Sequence, residues 1–209
     1  MTRCLGIIEN ILNNTRYKIY IDSGKKQNDF AKIYLKKYDN RIIYSDIITD
    51  IGFINKENSL EVDKELLEIE LNKFISSWDE IVKSESISLK KLYIKCIISD
   101  ISPIGCIVSK KLNLYSIFIS NFSLIEQYEY IGIRASIINK FKEGYSYVDK
   151  IIRYDLYMEM DSFNTKEIFD VGVYDTQNYI SASEFVVTKA GRYYFRGFNW
   201  TYPISYDRT

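Results

Sequence analysis

Histidine is absent from this chain, so its capacity for chemistry rests on carboxylates, tyrosines, lysines and thiols. Without imidazole there is no Ser-His-Asp or Cys-His nucleophile, no His-ligated zinc and no imidazole acid-base step. The stretch TKEIFDVGVYD, residues 165 to 175, brings the remaining chemistry to a point. Read as a strand with period two, it aligns Glu167 with Phe169, Val171 and Val173, and turns Ile168, Asp170, Gly172 and Tyr174 the other way. A lone buried carboxylate is costly or gives up its charge. Glu167 is therefore exposed, paired with Lys166 or Arg153, or set to receive a cation.

Rings are plentiful around that stretch. The chain has 19 tyrosines, which suit strands and also line pockets with a flat face and a polar tip. Tyr145, Tyr147, Tyr154, Tyr174, Tyr193 and Phe169 are candidate pocket walls by their neighbourhood in the sequence, although for any one of them core or sheet surface is the plainer reading. Each contact between a cation and a ring contributes about 0.5–2 kcal/mol depending on burial. Trp200 lies in the polar tail FRGFNWTYPISYDRT and, with Tyr202, is a candidate contact for a protein partner. The turn DSGKK lacks the spacing of a phosphate loop, and the LEIE and MEMD carboxylate pairs name no reaction. No cofactor and no metal site are expected.

The totals narrow the partners. Lys plus Arg and Asp plus Glu both number 28, which leaves no basic footprint for a nucleic-acid backbone. With 46% hydrophobic residues over 209, the chain can bury a substantial core. Cys4, Cys96 and Cys106 are odd in number and not closely spaced, as in a protein with reduced thiols, and no apolar run is long enough for a membrane span. A cytoplasmic location is expected.

These residues need elements to hold them. Residues 1 to 28 read as a leader, with a short helix through Ile7, Ile8, Ile11 and Leu12 and a strand at 17 to 21. Residues 30 to 53 read as extended. From Leu60 to Val82 the positions Leu67, Leu71, Phe74, Trp78 and Ile81 recur at helical spacing. Residues 88 to 122 read as two or three strands broken at Ser102-Pro103 and at Lys110-Lys111, and YEYIGIRASII as another. Residues 144 to 154 read as a short helix with strand as its competitor, and 166 to 175 and 184 to 196 as strands. The element order suggests two β-α-β-β units, about 30–122 and 128–196, within a domain 29–196 followed by a tail 197–209. Their joined sheet is expected to be largely antiparallel, an α+β fold with two helices on one side and a cleft on the other.

PIGCIVSKKLNLYSIFISNF resembles the hairpin of the GyrI-like effector-binding domains, the ligand-sensing modules of MerR-type and AraC-type multidrug regulators. EYIGIRASIINKFKEGYSYVDKIIRY is similar to the start of that family's second unit, and YLKKYDNRIIYSDI to its opening strand pair. The resemblance implies a stand-alone sensing domain in which Glu167, in KEIFDVGVYD, meets a lipophilic cation at the floor of an aromatic pocket. Residues 1 to 40 hold no helix-turn-helix, and Thr188-Lys189 stands where the family carries Thr-Glu. The expected function is binding of a small hydrophobic, cationic molecule. The alternatives are a protein-binding inhibitor or immunity protein, and a hydrolase using Glu and Tyr on the same fold.

Overall fold

The computed structural model describes residues 2–154, 157–163 and 166–171. Helix α1 covers Thr2–Asn14, strand β1 Ile19–Ser23, helix α2 Lys25–Tyr34 and strand β2 Ile42–Asp46, with a 3-10 turn at Lys36–Arg41 ahead of β2. A long crossing leads to α3, Lys64–Lys90, which starts where the Asp63 side chain accepts a hydrogen bond from the Leu66 amide at 3.0 Å. Its face of Leu67, Leu71, Phe74, Trp78, Val82 and Leu89 is buried, so the helical spacing read from the sequence is the one used, although the helix runs further toward the C-terminus.

Strand β3, Cys96–Asp100, is followed by α4, Pro103–Leu112, and then by β4, Tyr115–Ser120. Ser102 caps α4 by accepting from the Ile104 amide at 3.2 Å, Pro103 sits in its first turn, and Asn113 ends it in the left-handed conformation. Helix α5, Leu124–Ile131, begins where the Ser123 hydroxyl accepts from the Ile125 amide at 3.0 Å and donates to the Glu126 carboxylate, and stops at Gly132, whose φ of 78° favours a residue without a Cβ. Helix α6, Ala135–Tyr145, leads to β5, Lys150–Tyr154. A short 3-10 turn at Asp161–Phe163 precedes β6, Ile168–Val171.

The strands form two sheets, β1-β2 and β3-β4-β5-β6, and every pairing between them is parallel. This overturns the largely antiparallel sheet expected above. The one antiparallel bridge among the described residues, Asn55 to Val62, lies outside the named strands. The β-α-β-β arrangement implied by the family resemblance is likewise not that of the chain.

The physical reason is the same at each point: a helix stands where a hairpin was expected, and a strand that must restart from the same end pairs in parallel. PIGCIVSKKL satisfies helix capping at both ends and becomes α4. YEYIGIRASII divides between α5 and α6. GYSYVDKIIRY is the end of α6 followed by β5, so the competing strand reading holds for its second half. The extended reading of 30 to 53 gives way to the end of α2, the 3-10 turn and β2.

The four-stranded sheet alternates cleanly. Ser99, Phe118, Ile151 and Ile168 form one cross-strand row, and Asp100, Ile119, Ile152 and Phe169 form the next. Phe118 and Ile151 face the main core of α3, α4, α5 and α6. Ile117, Ile119, Ile152, Tyr154 and Val171 face the other way, toward Ile7 and Ile11 of α1. Helix α1 also sends Leu5 and Leu12 into a third cluster with Ile21, Ala31, Leu35, Tyr38 and Ile42. Both faces of the larger sheet therefore meet helices, in place of two helices on one side and a cleft on the other.

Candidate functional site

In parallel α/β sheets the strand ends that carry ligand-binding loops are the carboxyl ends, and here strain is concentrated at one of them. Ile101, between Asp100 and Ser102, has φ of 64°, a conformation that a β-branched residue adopts only under constraint. The constraints are visible. The Tyr145 hydroxyl donates to the Ile101 carbonyl, the Ser102 amide donates to the Asp100 carbonyl at 2.8 Å, and the Ser102 hydroxyl donates to the Thr49 carbonyl at 2.5 Å. Behind them Ser99 donates to the Ser102 carbonyl at 2.6 Å. Helix α4 presses close on β3: a Cβ at Gly105 would stand 2.8 Å from the Ser99 hydroxyl.

This strained corner carries charge. The Cys4 thiol of α1 donates to an Asp100 carboxylate oxygen at 3.2 Å. Asp50, on the crossing after β2, lies near enough for the Asp100 charge to be felt, and its carboxyl is raised by burial first and by Asp100 second, while the N-terminal ammonium and then the Gly52 amide oppose both. Asp50 is nonetheless open to solvent in the fold, so it sits in a crowded recess and not in the core. Below it lies an aromatic stack. Phe53 meets Tyr128 edge to face at 6.2 Å, Tyr128 meets Phe141 at 5.1 Å, and Phe141 meets Trp78 at 5.2 Å. The hydroxyls of Tyr128 and Tyr145 are pushed up by burial, which keeps them neutral donors.

A second polar group closes the carboxyl ends of β1 and β2. Asn28, fully buried, donates from Nδ2 to the carbonyls of Ser23 and Ser45 at 3.1 and 2.8 Å and to Asp46 Oδ1 at 2.7 Å. Beside it, Asp22 faces Glu85 of α3, which also accepts from the Tyr20 hydroxyl at 3.2 Å. Burial, and then the Glu85 charge, push the Asp22 carboxyl up to about 8, with a hydrogen bond to Ser45 opposing. The pair therefore holds a proton at neutral pH. Among the described residues no group of three or more Cys, Asp or Glu side chains is arranged to hold a metal ion.

The residues singled out from sequence are dispersed. Glu167 precedes β6 with its side chain 67% exposed, and its nearest cation is Lys150 at 3.9 Å. Among the described residues it stands at the surface and not at the floor of a cleft. Phe169 stacks under the Lys150 ammonium at 3.9 Å and Tyr154 packs beneath α1 in the second cluster. Tyr145 is in the main core and Tyr147 is packed against it. Asp170, on the opposite side of β6, takes a two-pronged bond from Arg153 at 2.6 and 3.0 Å. Tyr174, Tyr193, Trp200 and Tyr202 lie outside the described residues.

Asp50, Asp100 and Ile101 were not singled out from the sequence. The signal available for them was SDISPIG. Ser-Pro after an apolar run is a helix start, and it makes the residues before it a strand-to-helix corner. Among the described residues no helix is long and apolar enough to cross a membrane. No known protein family matches the sequence, and no curated protein is similar to it.

Proposed function

We propose that the protein binds a small organic cation with apolar surface, and that it does so at the corner formed by Asp50, Asp100 and Ile101. The observation that carries this reading is the left-handed backbone of a β-branched residue, held in place by a tyrosine hydroxyl and a cap serine, at the carboxyl end of a parallel strand. The Asp100 charge raises the Asp50 carboxyl, a cationic ligand at this corner relieves that repulsion beyond what the N-terminal ammonium already does, and the half-buried Phe53 ring stands nearby for its apolar part. This keeps the ligand class expected from sequence and moves its site from Glu167 to the strand ends. The hydrolase alternative, with Glu167 as its base, loses support because that side chain is 67% exposed and lies beside the Lys150 ammonium at 3.9 Å.

A thermal-shift screen with lipophilic and polyamine cations tests the proposal. A rise in Tm is expected for the parent chain and for Glu167→Gln, and loss of that rise is expected for Asp100→Asn and for Asp50→Asn. A rise that persists in the double variant Asp50→Asn/Asp100→Asn, or a response to neutral polyols alone, would overturn it.

A further inference from the structure

The strands of the larger sheet run parallel and so start at one end, and the turns that enter them share a signature. Ahead of β3 stands Lys90-Lys91-Leu92-Tyr93-Ile94-Lys95, and ahead of β4 stand Lys110 and Lys111 in the last turn of α4, with Tyr115 opening the strand. The smaller sheet starts at the same end. Helix α1 runs from the carboxyl end of β3, where Cys4 bonds to Asp100, to the amino ends of β1 and β2, where Arg41 donates to the Leu12 and Thr15 carbonyls at 2.7 and 2.8 Å. There Arg16-Tyr17-Lys18 enters β1. The carboxyl ends hold Asp22, Asp46, Asp50 and Asp100 instead. A chain with as many acids as bases is thus polarised along its strands.

The basic end has charge to offer. Among the described residues Arg16, Lys18, Lys91, Lys95, Lys110 and Lys111 are exposed and make no ion pair. The acids at that end are engaged: Asp149 accepts from the Ser116 amide and hydroxyl at 2.8 and 3.0 Å, Glu143 pairs with Lys140 at 3.0 Å and Glu167 with Lys150 at 3.9 Å. The dipole of a helix accounts for lysines in its last turn, as at Lys90, Lys110 and Lys111, but not for Arg16, Lys18 or Lys95, which lie outside helices. Apolar side chains project among these charges. Tyr93 is 87% exposed on a left-handed backbone with φ of 52°, Leu92 is exposed beside it, and Ile87 is exposed one turn ahead of Lys90 and Lys91. Tyr17 and Tyr115 are exposed at the same end.

We infer that the amino-end pole of the strands is a docking surface for an anionic phospholipid membrane, entered by Leu92 and Tyr93 and held by the lysines on either side of them. Tyrosine settles at the headgroup level of a bilayer, and lysines there meet the acidic groups of the lipid. A nucleic-acid strand would use the charges and the rings but has no place for Ile87 and Leu92. The protein lies on the bilayer without crossing it. This orientation turns Asp50 and Asp100, at the opposite ends of the strands, toward the aqueous phase. The inference stands on the placement of charge and exposed apolar side chains, and does not depend on the cation proposed above.

Co-sedimentation of the full chain with phosphatidylcholine vesicles, with and without phosphatidylserine, tests it. Binding is expected only with phosphatidylserine and is expected to weaken as salt is added. Each lysine near an anionic surface strengthens binding about fivefold, so Lys90→Gln/Lys91→Gln/Lys95→Gln is expected to lose about a hundredfold. Tyr93→Asn, which suits the left-handed backbone, is expected to weaken binding several-fold with the salt dependence unchanged. A Tm close to that of the parent shows that each variant is folded. Failure of the parent chain to bind the phosphatidylserine vesicles, equal binding to phosphatidylcholine alone, or a triple lysine variant that binds like the parent would overturn the inference. So would tighter binding to polyglutamate or to single-stranded DNA than to the vesicles, which would assign the surface to an acidic protein or to a nucleic acid.

Discussion

The four-stranded and two-stranded sheets obey the same parallel pairing but bury different things. Against the larger sheet lie rings and aliphatic chains, with Phe118, Tyr128, Phe141, Tyr145 and Phe163 each exposed by 2% or less. Against the smaller sheet lie a few aliphatic residues, a fully buried asparagine and an acid pair that keeps a proton. The larger sheet is held by area removed from water, which pH does not change. The smaller is held by polar partners, which respond to pH and to any ligand that competes for them.

Changes can break that contrast. The largest effect is expected from Phe141→Ala, which empties a ring site touching Trp78, Tyr128 and Tyr145. Denaturant unfolding should register a loss of about 3–5 kcal/mol. Asn28→Ala takes a buried donor from the Ser23 and Ser45 carbonyls and from Asp46, and should remove about 1–3 kcal/mol, with faster exchange in β1 and β2 and little change in β4 or β5. If both regions loosen equally, the two sheets form one cooperative unit.

A smaller effect concerns pH. The folded chain holds the Asp22 proton up to about pH 8, whereas the unfolded chain releases it near the ordinary carboxyl value. Stability from that proton is complete below the ordinary value and is lost as pH rises through about 8. Tm should therefore fall between about pH 5 and 8, and Asp22→Asn should flatten the slope. The smallest effect belongs to Arg153→Ala. Its bond to the exposed Asp170 contributes about 0.2–1 kcal/mol, and added salt should erase the difference from the parent.

The long helix was legible because one row of Leu67, Leu71, Phe74 and Trp78 fixes both its period and its buried side. The N-terminal helix and the first strand were legible for the same reason, through Ile7, Ile11, Leu12 and YKIYI. Strand direction was not. Apolar β-branched runs such as CIISD and YSIFIS look alike whether their partner runs parallel or antiparallel, and only the element between them decides. That element, PIGCIVSKKL, is rich in residues that also favour strands, and Ser102 and Asn113 at its ends mark it as a helix. Glu167 was conspicuous because alternation gave it apolar neighbours, but the chain reaches it just before β6 begins, where a carboxylate can turn to water. Asp100 was inconspicuous because only the fold brings it beside Asp50 and Cys4.

The cysteines turn these layers into separate clocks. Cys106 of α4 lies in the main core with no exposure, its thiol pushed up to about 12 by burial, and Cys96 of β3 lies beneath α1, raised to about 11 for the same first reason. A thiol reagent in neutral solution meets little thiolate at either position until the covering layer lifts. Modification of Cys96 would time the departure of α1 from the sheet, and modification of Cys106 the opening of the aromatic core, so one reagent dates two events within a single unfolding chain.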